Sequence, residues 1–368
     1  VDWPTTLHWP TRSKEIHIAI TKNSLVEFFL LVLLPSKIKK MKALVEAFPK
    51  HLEEAMGIGR SAKLNKSEKT FSNIVISGLG GSGIGGKIVS QWVADSCAVP
   101  IVCTNDYVLP GFVNEKTLVI ISSYSGDTEE TVAAMEEAFA KGAEVACITS
   151  GGKIGKIAAD KGLNCIIIPG GKPPRSMFGY SAIQQLYMLA NYGFIGMDFE
   201  NSITNAIANM NNNMADLRAN SLDIAKKIVD RIPVLYSEAM YEGVTIRWRQ
   251  QINENSKMLC SHHVFPEMNH NELVGWTGGD NRVAVVILRN EDDHKRSQMR
   301  MEICKKLMAE KCDTILEAWS KGSNRIERSL YLVHLGDWIS IDLAELRNED
   351  ATAIPAIIFL KGELAKMQ

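Results

Sequence analysis

The sequence predicts an α/β protein built as two tandem αβα sandwiches with parallel sheets. Short β-branched runs alternate with helical stretches from Asn73 onward, the mark of strands joined by helical crossovers. The alternation occurs twice, on either side of a mostly helical stretch, Tyr180–Lys227. A length of 368 residues is enough for two such units and predicts two cores.

The elements follow in order. From Met41, the residues Leu44, Phe48, Leu52 and Ala55/Met56 recur at helical spacing, and Gly57 is placed to end that helix. The first unit reads as strand Ile74–Ser77, helix from Ser82, strands Ile101–Thr104 and Leu118–Ser122, helix Thr128–Lys141, strand Val145–Thr149, helix from Ile154 and strand Cys165–Ile168. Asp127-Thr128-Glu129-Glu130 supplies capping and acidic residues at one helix start, and Gly142 stops that helix. The second unit reads as strand Val234–Tyr236, a helix around Gly243–Lys257, strand Val283–Leu288, helix Asp293–Ala309, strand Thr314–Ala318 and helix Arg328–Leu346. These elements divide the chain into an N-terminal helix (41–72), a first unit (73–200), a helical linker (201–230) and a second unit (231–368). Residues 1–40 open without Met and carry an apolar run, Leu25–Leu34, too short to span a bilayer and interrupted by Glu27. They are expected to be a non-native or misassigned extension.

Composition narrows the function. Hydrophobic residues make up 46% and charged residues 23%, the balance of a soluble globular chain. A formal net charge of -1 leaves no basic field to recruit nucleic acid or an anionic membrane, so neither is an expected partner. The seven cysteines form no CxxC pair or zinc spacing and read as reduced residues of a cytoplasmic protein.

Two loops stand out. Gly78-Leu79-Gly80-Gly81-Ser82-Gly83 follows a strand and opens a helix, where backbone N–H groups and the helix dipole attract an anion. Alone it also fits a dinucleotide fingerprint, with Asp106 near the next strand end available to a ribose. The second loop, Ser122–Thr128, brings several hydroxyls to another strand end just before a helix. Together the loops favour a compact phosphate, with Gly81, Ser82, Ser123, Ser125 and Thr128 as its donors. Ordinary capped turns remain the bland reading of either loop singly.

These stretches resemble a known family. Ser123-Tyr-Ser-Gly-Asp-Thr-Glu-Glu130 is similar to the signature of sugar isomerase (SIS) domains, and Gly80–Gly86 to their first phosphate loop. Pro173-Pro174-Arg175, Asn253-Glu-Asn-Ser-Lys257, Asn269-His-Asn-Glu272 and Leu360-Lys361 resemble, in order, stretches of bifunctional phosphoglucose/phosphomannose isomerases. The resemblance runs from about Met41 to the C-terminus. It implies two SIS-type, flavodoxin-like sandwiches and an aldose-ketose isomerase of sugar 6-phosphates.

Such a reaction needs a base, ring-opening groups and a cation beside the developing enediolate. Glu254 is the candidate base and Arg175 the cation, its approach stiffened by two prolines. His270 can exchange a proton with the ring oxygen near neutral pH, and the resemblance implies that it comes from the neighbouring subunit of a homodimer. The resemblance also implies that Lys361 assists ring opening and that Thr352 is a possible sugar contact, although Asn348–Ala353 departs from the family's Asp-Pro-Thr pattern. The tract from His262-His263 to His270 invites a metal reading, but lacks a Cys, Asp or third His at regular ligand spacing. No metal and no cofactor are therefore expected. The competing readings are a non-catalytic phosphosugar-binding protein and an NAD-dependent dehydrogenase.

Overall fold

A computed structural model describes residues 40–367, so the extension expected over 1–40 lies outside the described residues except for Lys40. Strands β1 (Asn73–Ser77), β2 (Ile101–Thr104), β3 (Thr117–Ser123), β4 (Glu144–Thr149) and β5 (Asn164–Ile167) form one sheet in the order β2-β1-β3-β4-β5. Strands β6 (Ile232–Glu238), β7 (Ser261–Phe265), β8 (Val283–Arg289) and β9 (Ile315–Trp319) form a second in the order β7-β6-β8-β9. All neighbouring strands run parallel. Each sheet changes winding direction beside its first strand, and such switch points leave a crevice at the carboxyl ends of the strands. The likeness in strand order fits the alternation repeated in the sequence.

Strand residues point alternately to two faces, and both faces are covered. Ile74, Ile76, Leu118, Ile120 and Ile148 face one cluster of buried side chains, while Val75, Val119, Ile121, Val145 and Cys147 face another. The second sheet alternates likewise: Ala284, Val286 and Leu288 face the same cluster as Ile74, and Val285 and Ile287 face a third. The expectation of two cores is therefore corrected. One inner core joins both sheets through the helices Phe48–Ser61, Gly80–Trp92, Phe178–Asn191, Glu242–Ser256 and Arg325–Leu346, and each sheet has a smaller outer core. The physical reason is that the apolar inward face of each sheet is covered by its own unit's helices, and these helices pack on one another, as Gly80–Trp92 does on Glu242–Ser256.

Two elements were not expected from the sequence. β7 carries His262 and His263 at a sheet edge and is only partly buried, so it lacks the apolar run of a central strand. The C-terminal helix Pro355–Leu364 buries none of its side chains, and Ile358, Phe359 and Leu360 are all more than half exposed. Among the described residues no helix is long and apolar enough to cross a membrane.

The first helix also overruns its expected stop. Gly57 lies inside Phe48–Ser61, as does Gly59. A Cβ at Gly57 would meet nothing within 4 Å, whereas one at Gly59 would sit 2.0 Å from Cδ2 of Tyr187. Gly59 is thus the close approach that lets this helix lie on Phe178–Asn191. Gly57→Ala is expected to stabilise the protein by about 0.5–1 kcal/mol through helix propensity. Gly59→Ala should destabilise it by about 1–3 kcal/mol through overpacking. Urea denaturation of both variants measures this opposite response.

Candidate active site

The two loops meet because β1 and β3 are neighbours. Gly80 takes a left-handed φ of 52° where the chain turns into the helix Gly80–Trp92. The Tyr124 N–H donates to Ser82 Oγ at 3.0 Å, tying the second loop to the first helical turn. Ser123 and Ser125 each place a hydroxyl within 3.4 Å of Thr128 Oγ1, next to the start of Glu129–Ala140. Ser123 is buried and Ser125 exposed, so the cluster reaches from the loop's base to solvent. The loop rests on the segment after β4. Ser150 N and Oγ both donate to the Tyr124 carbonyl, Ile154 N donates to the Gly126 carbonyl, and a Cβ on Gly126 would lie 1.8 Å from the Gly151 oxygen. With a φ of 74° as well, Gly126 has two reasons to be glycine.

The second unit carries no comparable donor set at its switch point. Glu238 ends β6, and Asp292 and Asp293 follow β8, with Tyr241 donating to Asp292 and Arg328 pairing with it at 2.7 Å. Burial raises the Asp293 carboxyl to about 7. Carboxylates stand there where the first unit offers hydroxyls.

A cleft of about 310 Å³ opens between the units, lined by Gly80, Gly81, Arg175, Gln250, Asn253 and Glu254 among others. Arg175 is 5% exposed and spends its guanidinium on three acceptors. Nε donates to Asn255 Oδ1 at 2.6 Å, Nη1 to Glu254 Oε1 at 2.7 Å, and Nη2 to the Ala351 carbonyl. Burial lowers the Arg175 pKa and the Glu254 carboxylate opposes that shift, yet a guanidinium keeps its charge. Glu254 retains 30% side-chain exposure, so its carboxylate is fixed by the arginine and still open to the cleft. A carboxylate held beside a buried cation can exchange a proton while the cation stabilises charge on a neighbouring oxygen.

The other candidate residues lie around this pair. Lys361 is exposed, but Ile357, one helical turn earlier on the same helix, lines the cleft. Thr352 is part-buried with its hydroxyl donating to Asp350 at 2.6 Å, next to the Ala351 carbonyl that accepts from Arg175. His270 ends the 3-10 turn after β7, is exposed, and does not line the cleft of its own chain. The structure thus brings together Gly81, Arg175 and Glu254, places Lys361 a turn away, and sets His270 apart.

The comparisons decide the family. Residues 218–364 match the model described as the bacterial phospho-glucose isomerase C-terminal SIS domain. The chain is 36% identical to the bifunctional phosphoglucose/phosphomannose isomerase of Caldicellulosiruptor bescii over 87% of its own length and 97% of the relative's. The chain belongs to this family. It is also 37% identical to the Aquifex aeolicus protein of the same name, over 80% of this chain and 91% of that one. Among solved structures, the C-terminal domain of glucosamine-fructose-6-phosphate aminotransferase from Francisella tularensis superposes with a TM-score of 0.67 at 12% identity, covering 84% of this chain and 97% of that one. That likeness shows that the two chains share a fold.

In this member of the family, the support beneath the cleft escaped sequence reasoning. Arg247, 2% exposed, donates to Asp337 at 2.6 Å and to the Arg175 carbonyl at 3.1 Å, and Gln251 donates to the other Asp337 oxygen at 2.8 Å. Lys257, at a left-handed φ of 56°, ends the helix and donates to the Glu254 carbonyl at 2.6 Å. A signal was present: Arg247, Gln250, Gln251 and Glu254 fall at i, i+3, i+4 and i+7, a polar stripe on a helix that the pattern had placed correctly. Arg175→Lys keeps the charge but offers no planar fork to three separate acceptors. It should lower stability by about 2 kcal/mol, mostly by stranding buried Asn255, as read from the urea midpoint.

Proposed function

We propose that this chain is an aldose-ketose isomerase that interconverts glucose 6-phosphate and mannose 6-phosphate with fructose 6-phosphate, without a metal, through a cis-enediol. The reading is carried by the cleft in which the Arg175–Glu254 pair faces the Gly80-Gly81 turn, and the printed activity of the relatives supports it.

The first unit holds the substrate by its phosphate. The backbone N–H of Gly81 and the hydroxyls of Ser82, Ser123, Ser125 and Thr128 are the donors, so no lysine or arginine is needed at that end. The sugar then extends toward the second unit. After ring opening, Glu254 removes the proton from C2 of the aldose and returns it to C1, giving the ketose. Arg175 stabilises the negative charge on the enediolate oxygen. Both aldoses converge on one enediol, so a base that reprotonates C2 on either face serves both, and a small residue at Thr352 leaves room for the rotation this requires.

Ring opening falls to Lys361 and to His270 of a second copy in a homodimer. His270 is exposed and lies outside its own chain's cleft, which fits delivery to a partner. All seven cysteines are free, as suits a cytoplasmic enzyme.

Incubation of the purified protein with fructose 6-phosphate, EDTA and no added cofactor should yield both glucose and mannose 6-phosphates; formation of neither rejects the proposal. Glu254→Gln should lower kcat by about 10²–10⁴ with little change in KM, and near-normal turnover removes Glu254 from the role of base. Glu254→Gln and His270→Ala chains, each inactive alone, should regain about a quarter of wild-type activity when unfolded and refolded together, because each mixed dimer assembles one intact site. No recovery means that His270 does not act across a dimer interface.

A further inference from the structure

Cys147 and Cys165 are register partners in the parallel strands β4 and β5, on the outer face of the first sheet. Their side chains stand on the same face of neighbouring strands, close enough for each thiol to shift the titration of the other. Cys147 is fully buried, whereas Cys165 is only partly so, on an edge strand. The neighbouring Cys147 thiol lowers the Cys165 pKa against the effect of burial, and the same pairing, with burial, raises Cys147. One sulfur is therefore the more reachable from solvent, and the second waits beside it. That is the arrangement of an attacking and a resolving cysteine.

The two strands lead to the substrate cleft. β4 runs on into Thr149–Gly152, the segment that supports Tyr124–Thr128 through the Ser150, Ile154 and Gly151 contacts described above. β5 runs on through Ile168, whose N–H donates to the Thr149 carbonyl at 2.9 Å, and Lys172, whose N–H donates to the Tyr124 hydroxyl at 3.0 Å, to Pro173-Pro174-Arg175. A disulfide prefers its Cα atoms about 5.5–6 Å apart, while paired strands lie about 4.8 Å apart. Closing a bond here pushes β4 and β5 apart by roughly 1 Å. The displacement passes into the supports of both the hydroxyl loop and Arg175.

We propose that Cys147 and Cys165 are an oxidisable dithiol whose closure to a disulfide weakens the hold on the sugar phosphate, an inference that rests on the phosphate site assigned above. The oxidant is a low-molecular-weight disulfide. The Cys165 thiolate attacks one of its sulfurs, forming a mixed disulfide and expelling one thiolate. Cys147 then gives up its proton and attacks the Cys165 sulfur, expelling the second thiolate. Two electrons pass from the cysteine pair to the oxidant, which leaves as two thiols once protonated.

The test treats the reduced protein with glutathione disulfide. Peptide mass mapping should find Cys147 linked to Cys165 with two hydrogens lost, and thiols titrated after unfolding should fall from seven to five. The Kd for fructose 6-phosphate, measured by calorimetry so that no turnover is needed, should weaken by about threefold or more and recover with dithiothreitol. Cys147→Ser should stall with glutathione on Cys165, and Cys165→Ser should keep its affinity under oxidation. Oxidation at other cysteines first, or a Cys147–Cys165 bond that leaves Kd unchanged, overturns the proposal. Reduced protein that does not bind fructose 6-phosphate defeats the phosphate-site reading instead, because the mass map still reports the dithiol.

Discussion

Arg175 is the point at which the two halves of the chain are joined chemically. Its guanidinium reaches Glu254 and Asn255 on one helix and the Ala351 carbonyl ahead of the C-terminal helix, and its own carbonyl accepts from Arg247. Its backbone also packs on Gly81, where a Cβ would lie 3.2 Å from the Arg175 Cα. One buried cation therefore fixes the distance between the Gly80-Gly81 turn and the carboxylate that faces it. Beneath it Asp337, fully buried, would be costly as a lone charge; Arg247 and Gln251 occupy its two oxygens. The cleft's geometry is set by this buried polar network, with apolar packing excluding water around it.

Much of this was legible in the sequence. Central strands buried on both faces appear as continuous β-branched runs, and the edge strand Ile101–Thr104 was bounded as it stands because Pro100 and Asn105 flank it. The two strand-to-helix loops were legible for the same reason, since Gly80 and Gly126 hold conformations that side chains rarely adopt. What could not be read was pairing at a distance. Nothing local says that Arg247 meets Asp337, 90 residues away, or that the inward faces of two sheets share a core. β7 hid because an edge strand bearing two histidines has no apolar period, and the helix around Lys361 because its apolar residues have no polar side to set a phase.

The two switch points are topologically alike and chemically opposite. Hydroxyls and bare glycine amides line the first, while Glu238, Asp292 and Asp293 occupy the second, where Arg328 and Tyr241 already engage Asp292. A substrate anion entering there would meet like charge and a cation already paired. The second unit's contribution is thus lateral: it offers the side of a helix to the cleft, rather than the end of a strand.

The shared inner core has a bearing on how such a chain can evolve. A duplicated unit usually remains exchangeable, because its apolar surface is its own and its boundary crosses few contacts. Here Ile74 and Val286, from different sheets, belong to one buried cluster. Either half moved into another protein would carry an uncovered apolar face with it. Recombination can therefore bring this architecture new partners only as an inseparable pair, and change must come by substitution within the cleft instead of by shuffling its two walls.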